Sequence, residues 1–352
     1  LDEEEVLAAV LVLPALLGYS LERRVQPRVE RTLAAGVDVR GVLRTITYTP
    51  AKFDAWLERQ QQPTTARRAQ PAARRAPPPR AQLGAAADGD APSLSVVVPA
   101  FNEAERLPPV LRDSLRYLRD ERAAGWELIV VDDGSTDGTA DAVRGFGLSP
   151  ELRLLRAARN GGKGAALRAG ARAARGARLL LMDADGATPL AALPALERAL
   201  DGGGARCGLA TGSRAAVLAA RPWRRQLMGR VFRALAATCV GGAVVDDTQC
   251  GFKLLTSTAA RATLPHLRTT GWAYDVELIF LLRRLRYGVA SAPVPWRDVA
   301  GSKVGAATPL AMAWDVARVA ALYRLGVWPL PPDDGSAAAA DDDGYEEITG
   351  DA

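Results

Sequence analysis

Histidine is almost missing from this chain: His266 is the single one in 352 residues. A metal site built on several imidazoles is therefore excluded, and acid–base chemistry has to rest on other side chains. His266, within Leu264-Pro-His-Leu267, reads as a helix-end residue and not as a catalyst. Cysteine is scarce too. Cys207, Cys239 and Cys250 show no C-x-x-C spacing, so neither a disulfide nor a zinc framework is indicated, and a reducing compartment fits. The two common phosphate-loop signatures are absent. The glycine turn Asn160-Gly-Gly-Lys-Gly164 follows neither the G-x-x-x-x-G-K-[ST] order nor the G-x-G-x-x-G order. Such a turn opening a helix can still offer N–H groups to a phosphate, with Lys163 as a point charge. Positive charge is not concentrated. The net charge is +5, carried mostly by arginines spread over several segments, which argues against a nucleic-acid partner.

A long apolar run is also lacking. The nearest approach, Val6 to Leu21, falls short of the about 20 residues that cross a bilayer and is interrupted by Pro14. Glu3, Glu4 and Glu5 precede it, and Arg23, Arg24, Arg28 and Arg31 come after it. If residues 6–21 form a membrane anchor, the charge bias places the chain beyond residue 21 in the cytosol. A cleaved signal peptide and a buried helix are the competing readings, and no small-x-small cleavage site stands out. Residues 63–92, rich in Pro, Ala and Arg, cannot bury a core and read as a linker between the region 1–62 and a domain beginning at residue 93.

What is present is a run of strand-like segments that end in acids. The central one is Leu179-Leu-Leu-Met-Asp-Ala-Asp-Gly-Ala-Thr188. Four apolar residues make a buried strand, and Asp183 and Asp185, two apart, point to the same side. Hard oxygen ligands suit Mg2+ or Mn2+, ions that accompany nucleotide phosphates. An Asx turn explains an isolated D-x-D equally well, so the neighbouring segments decide. Leu94-Ser-Val-Val-Val98, Glu127-Leu-Ile-Val-Val131, a strand near residues 152–155, another at 179–182 and one near 209–211 alternate with helical stretches. That alternation predicts an α/β fold: a Rossmann-like, doubly wound, mostly parallel sheet with helices on both faces. Acids, Asn or Gly recur where the strands stop, which is where open sheets bind ligands.

Arg221 to Leu235 carries five arginines, with Met228, Phe232 and Leu235 on one helical face. It reads either as an interfacial membrane helix or as an ordinary surface helix. Residues 306–328 predict a further amphipathic helix, interrupted by Asp315, Arg318 and Arg324. The acidic stretch 329–352 reads as a disordered tail.

Together, Val97-Val-Pro-Ala-Phe-Asn-Glu103, Val131-Asp-Asp-Gly-Ser135, Asn160-Gly-Gly-Lys-Gly164 and Asp183-Ala-Asp185 resemble family 2 glycosyltransferases of the GT-A fold. Gly212-Ser-Arg214, Asp247-Thr-Gln-Cys-Gly-Phe-Lys253, Trp272-Ala-Tyr-Asp-Val-Glu277 and Gly301-Ser-Lys303 are similar to the dolichyl-phosphate β-glucosyltransferase branch, over residues 93–328. The resemblance implies UDP-glucose as donor and dolichyl phosphate as acceptor. It also implies an endoplasmic reticulum membrane location, the GT-A domain 93–305 facing the cytosol, and a β-linked product formed with inversion. By the same resemblance, Pro99, Glu103, Asp132, Asp133, Lys163 and Asp183 lie on the nucleotide side. Asp183 and Asp185 hold the metal. Arg214, Arg225 and Lys303 meet the acceptor phosphate, and Asp185, Asp247 and Arg214 form the catalytic group. Asp247 is expected to align the acceptor, because a lipid monophosphate with a second pKa of about 6 needs little deprotonation. A GDP-mannose donor, or a nucleotide-sugar binder without catalysis, are the alternatives.

Overall fold

The computed structural model describes residues 26–35, 53–55, 57–58, 91–122, 125–215, 217, 247–271, 273–299, 322–323, 330–331 and 344–349, with the single positions 316, 319 and 328. The anchor candidate at 6–21, the linker up to residue 90, the basic stretch 221–235, Arg225 and Lys303 lie outside these residues. So does most of the helix expected over 306–328. Among the described residues, no helix is long and apolar enough to cross a membrane.

The chain divides into two compact units, residues 1–80 with 318–330, and residues 81–317 with 331–352. The first contains helix α1 (Gln26–Ala34). Its Arg31 pairs with Asp54 at 2.7 Å. The guanidinium groups of Arg28 and Arg31 lie 4.9 and 5.4 Å from the ring centre of the buried Phe53.

The second unit is an eight-stranded sheet flanked by helices. In chain order it contains β1 (Leu94–Ala100), α2 (Leu107–Glu121), β2 (Trp126–Asp132), α3 (Thr139–Arg144), β3 (Leu152–Ala157), α4 (Lys163–Ala173) and β4 (Arg178–Leu181). It continues with α5 (Leu193–Gly202), β5 (Cys207–Ser213), β6 (Lys253–Thr256), α6 (Ser257–Thr263), α7 (Tyr274–Arg284), β7 (Gly288–Pro293) and β8 (Tyr345–Ile348). The order across the sheet is β7-β5-β6-β4-β1-β2-β3-β8. β1 pairs in parallel with β2 and β4, β2 with β3, and β5 with β7. Only β6 and β8 run the other way.

Strand period and burial agree with this. Val96, Val98, Leu128, Val130 and Leu180 share one core with Leu111, Leu115 and Leu118 of α2 and with Leu193 and Leu196 of α5. The alternate residues face the opposite helices. A Cβ on Gly170 of α4 would stand 2.3 Å from a Val97 methyl, so α4 lies on the sheet at a distance only glycine permits. Pro108 and Pro109 occupy the first turn of α2, where the missing N–H groups cost nothing.

The strand directions set the functional edge. Ala100, Asp132, Ala157, Leu181, Ser213 and Pro293 all end there. β6 begins there, with Lys253 opposite both Leu181 and Thr211. β8 begins there too, with Tyr345 opposite Ala157.

The disorder expected throughout 329–352 is corrected at β8. Glu347 is bound at both oxygens by Arg153, at 2.7 and 2.8 Å. Ile348 packs against the core margin. Acidic composition signals solvation only where no basic partner waits, and here the open edge of β3 supplies one.

Candidate active site

Beyond β4 the backbone turns at Asp185, whose Oδ1 accepts the Ala187 N–H at 3.0 Å. The Asx turn is therefore real, but it does not use up the acids. Asp183 Oδ1 accepts from Lys163 Nζ at 2.6 Å, and its side chain remains 37% exposed. The loop before β6 closes against this carboxylate: a Cβ on Gly251 would lie 2.1 Å from Asp183 Oδ2. Any side chain at 251 would fill the space in front of the acid.

The two acids have opposite electrostatics. Burial works against the charge on each. At Asp183 it is outweighed by the Lys163 ammonium, helped by Lys253 and Arg214, and the carboxyl sits below its ordinary range. At Asp185 burial is reinforced by the charge of Asp183. It prevails over the Ala187 N–H and Arg106, so the carboxyl is pushed up.

Lys163, first residue of α4, lies 5.3 Å from the Tyr274 ring centre. Burial would strip its proton, but Asp183 and Asp275 keep the ammonium and raise its pKa. The glycine turn before it does not present free N–H groups. Gly161 and Gly162 both donate to Asp133, at 2.8 Å each, and Gly164 donates to the Thr270 carbonyl at 2.9 Å. The phosphate cradle allowed by the sequence is thus already committed within the protein.

The other nucleotide-side candidates are similarly engaged. Asp133 Oδ1 also accepts from the Tyr345 hydroxyl at 2.5 Å. Asp132 is fully buried. Its Oδ1 takes the Ser135 N–H at 2.9 Å, and its Oδ2 lies 3.2 Å from Arg156 Nε without a hydrogen bond. Glu103 grips Arg106 at both oxygens, at 2.6 and 2.7 Å, and its N–H donates to Thr139 Oγ1. Pro99 stands in β1 opposite Val131, one residue from the edge.

On the far side of Asp183, the end of β5 delivers Arg214. Its Nε and Nη2 reach Asp247 Oδ2 and Oδ1 at 2.6 and 2.9 Å, and its backbone N–H adds a third bond at 3.1 Å. The guanidinium also lies 5.5 Å from the Trp296 ring centre. Burial would raise the Asp247 carboxyl, but the Arg214 bonds and charge outweigh it and hold it low. A carboxylate so held aligns a neighbour better than it accepts a proton.

Lys253 takes no outward role. It is fully buried, and its ammonium donates to the carbonyls of Thr248 and Cys250 and to Asp275. Those three bonds exhaust its donors. Glu277 accepts the N–H groups of Arg268 and Thr269 at 2.8 and 2.7 Å, which fixes the loop whose Thr270 carbonyl meets Gly164.

The glycosyl transferase family 2 pattern matches residues 95–251. A dolichyl-phosphate β-glucosyltransferase of Trichomonas vaginalis is 38% identical over 245 residues, covering 66% of this chain and 72% of that protein. The dolichyl-phosphate β-glucosyltransferase of Dictyostelium discoideum is 36% identical over 252 residues, covering 67% and 76%. The chain belongs to glycosyl transferase family 2. Its fold matches glucosyl-3-phosphoglycerate synthase from Mycobacterium tuberculosis in complex with UDP, with a TM-score of 0.52 at 21% identity over 73% of this chain and 87% of that one. That synthase is also solved with Mn2+ and UDP.

This glycosyltransferase therefore has a pair of carboxylates at the edge where the sequence put them, flanked by Lys163 on one side and the Arg214–Asp247 fork on the other. Among the described residues no third acid or histidine joins the pair. Two hard oxygen donors, with Asp185 engaged among the described residues by the Ala187 N–H alone, fit an ion such as Mg2+ or Mn2+ that takes its remaining ligands from water and phosphate. Gly251, Tyr345 and Trp296 are the residues that sequence reading missed, and Tyr274 and Asp275 had no role assigned to them by their motif. Gly251 had a visible signal, a glycine beside a cysteine in a charged loop. Tyr345 had none.

Proposed function

We propose that this glycosyltransferase moves glucose from UDP-glucose to dolichyl phosphate, with inversion, giving dolichyl β-D-glucosyl phosphate. The observation that carries the reading is the convergence on one sheet edge of the acid pair Asp183 and Asp185 and the Arg214 guanidinium fixed by Asp247. It is supported by the dolichyl-phosphate β-glucosyltransferases to which the chain is similar. Asp183 and Asp185 would hold Mg2+ or Mn2+, which supplies positive charge to a departing diphosphate.

The chain's own residues do the rest. Both substrates carry negative charge at their reacting ends, so the site must first bring two anions together. Arg214, oriented by Asp247 and stacked near Trp296, offers a guanidinium at the end of β5 for the acceptor phosphate. Lys163, whose ammonium meets Asp183 by one hydrogen bond, offers the donor side a point charge for a phosphate oxygen. No general base is required, because the lipid phosphate is mostly a dianion near neutral pH. Asp247, held ionised by Arg214, keeps the alignment. The endoplasmic reticulum membrane, with the domain on its cytosolic face, is where such an acceptor would be met. Residues 6–21 and 221–235 are the candidate membrane contacts.

The test offers UDP-glucose or GDP-mannose, with Mg2+ or Mn2+, to full-length protein and vesicles containing polyprenyl phosphate, and identifies the glycolipid by mass. Glucosyl lipid from UDP-glucose is the expected product. Mannosyl lipid from GDP-mannose, or nucleotide-sugar binding without turnover, would replace the proposal with the mannose or non-catalytic reading.

A further inference from the structure

We infer that strand β8 belongs to the donor site and that Tyr345 is a positioning residue for Asp133; the inference rests on the reading that Asp133 faces the nucleotide. Asp133 accepts three hydrogen bonds among the described residues. Gly161 N–H and the Tyr345 hydroxyl share Oδ1, and Gly162 N–H takes Oδ2. A carboxylate has about four acceptor positions. The arrangement therefore fixes the group on three sides and leaves one position, on Oδ2. A hydroxyl that acted as a plug would sit on that remaining position. Tyr345 instead doubles up on the oxygen already bound by Gly161, which is the geometry of a clamp.

The strand is built to deliver this hydroxyl. Tyr345 is opposite Ala157, the last residue of β3, so its side chain starts at the functional edge. Two residues on, Glu347 is bound at both oxygens by Arg153, which also reaches the buried Glu127 at 2.9 Å. Ile348 packs at the core margin. A slip of one residue would flip every side chain of the strand to the other face. The Glu347 anchor forbids that slip and so sets where Tyr345 arrives. Covering the open edge of β3 needs only backbone pairing; it does not need a phenol placed on an acid that also holds the glycine turn. Through Gly161 and Gly162 the clamp extends to the start of α4, which carries Lys163.

The experiment measures UDP affinity of the full chain by calorimetry in Mg2+, together with the KM values for UDP-glucose and for polyprenyl phosphate. Tyr345→Phe keeps the strand and removes the hydroxyl alone. It should weaken UDP binding about five- to tenfold and raise the KM for UDP-glucose, with the KM for the lipid unchanged. Glu347→Gln should shift the same quantities in the same direction by a smaller factor. A purely edge-covering role would lower Tm in Glu347→Gln and leave UDP affinity intact in Tyr345→Phe. Asp133→Asn separates the clamp from the donor assignment beneath it. If Asp133→Asn weakens UDP binding and Tyr345→Phe does not, the clamp is wrong and the donor reading stands. If Asp133→Asn leaves UDP binding unchanged, Asp133 is not a nucleotide residue and the inference falls with that assignment. Tighter UDP binding in Tyr345→Phe would overturn it as well, since the strand would then be a competitor.

Discussion

Two acid–cation pairs stand at the same sheet edge, and they are built differently. Asp183 meets Lys163 through one contact at 2.6 Å, with 37% and 19% of the side chains exposed. Asp247 meets Arg214 through a two-pronged fork and a backbone N–H, with 4% and 17% of the side chains exposed, so the cations are alike and the acids differ. A lysine is a point charge on a flexible stem, whereas a guanidinium fork fixes direction as well as charge. The first pair can be taken apart by an arriving cation and phosphate. The second is a finished piece of structure whose outer surface is what a ligand meets. The Lys163–Asp183 pair is thus exchangeable and the Arg214–Asp247 pair preset.

The largest effect that this contrast predicts is on turnover. Asp185→Ala removes one of two metal-type oxygens and should cost about 4 kcal/mol of transition-state stabilisation, ~10³-fold in rate. The fold should survive, because among the described residues Asp185 hydrogen-bonds its own turn alone. Steady-state assays beside thermal melts check both halves, and a rate within tenfold of wild type would remove the acid pair from the chemistry.

The next effect is on stability and separates the pairs directly. Asp247→Ala takes both prongs of the fork from the part-buried Arg214 guanidinium, 17% exposed, which costs about 3 kcal/mol. Asp183→Ala takes a single hydrogen bond from Lys163, whose ammonium keeps the charge of Asp275 beside it, and should cost less, about 1.5 kcal/mol. Urea unfolding of the two variants side by side gives the comparison. Equal losses would mean that the two pairs are the same kind of object.

The same physics decides how much of this was legible in the sequence. β1 to β4 are runs of Val, Leu and Ile stopped by Asp, Asn or Gly, and the parallel sheet with its acid-bearing edge could be read from them. β6 could not. Lys253-Leu-Leu-Thr256 is short and begins with a charge, and only the antiparallel insertion between β4 and β5 explains why that charge is buried. Lys253 spends its donors there on Thr248, Cys250 and Asp275. At the site, the acid pair was legible because an apolar run stops at Asp183-Ala-Asp185, although both acids stand in the turn beyond β4 and not on the strand itself. The glycine turn misled, since sequence shows that N–H groups are available at a helix start and not that Asp133 has claimed them. β7, made of small residues, and β8, made of acidic ones, lacked any pattern that periodicity detects.

The exchangeable pair can be tested without turnover. Lys163→Met frees Asp183 Oδ1 from its ammonium, so Mn2+ alone should bind about three- to tenfold more tightly, while UDP alone should bind more weakly for want of a cation. Electron paramagnetic resonance titration reads free Mn2+ in the first case and calorimetry reads UDP in the second. If Mn2+ affinity does not change, Lys163 does not compete for the acid, and its pair with Asp183 is as preset as the Arg214–Asp247 pair.

The smallest effect is a pH dependence confined to the preset pair. The folded Asp247 carboxyl is depressed: burial opposes its charge, but Arg214 overcomes that opposition. A depressed carboxyl contributes stability above its unfolded value of about 3.9, and that contribution is lost as pH falls through the lower folded value. The Tm advantage of wild type over Asp247→Asn should therefore be constant from neutral pH down to about 5, and shrink as the pH drops below about 4. Thermal melts over that range decide it. A gap that widens with acid would mean that Asp247 is protonated in the native fork, and Arg214 would then need another anion to justify its burial.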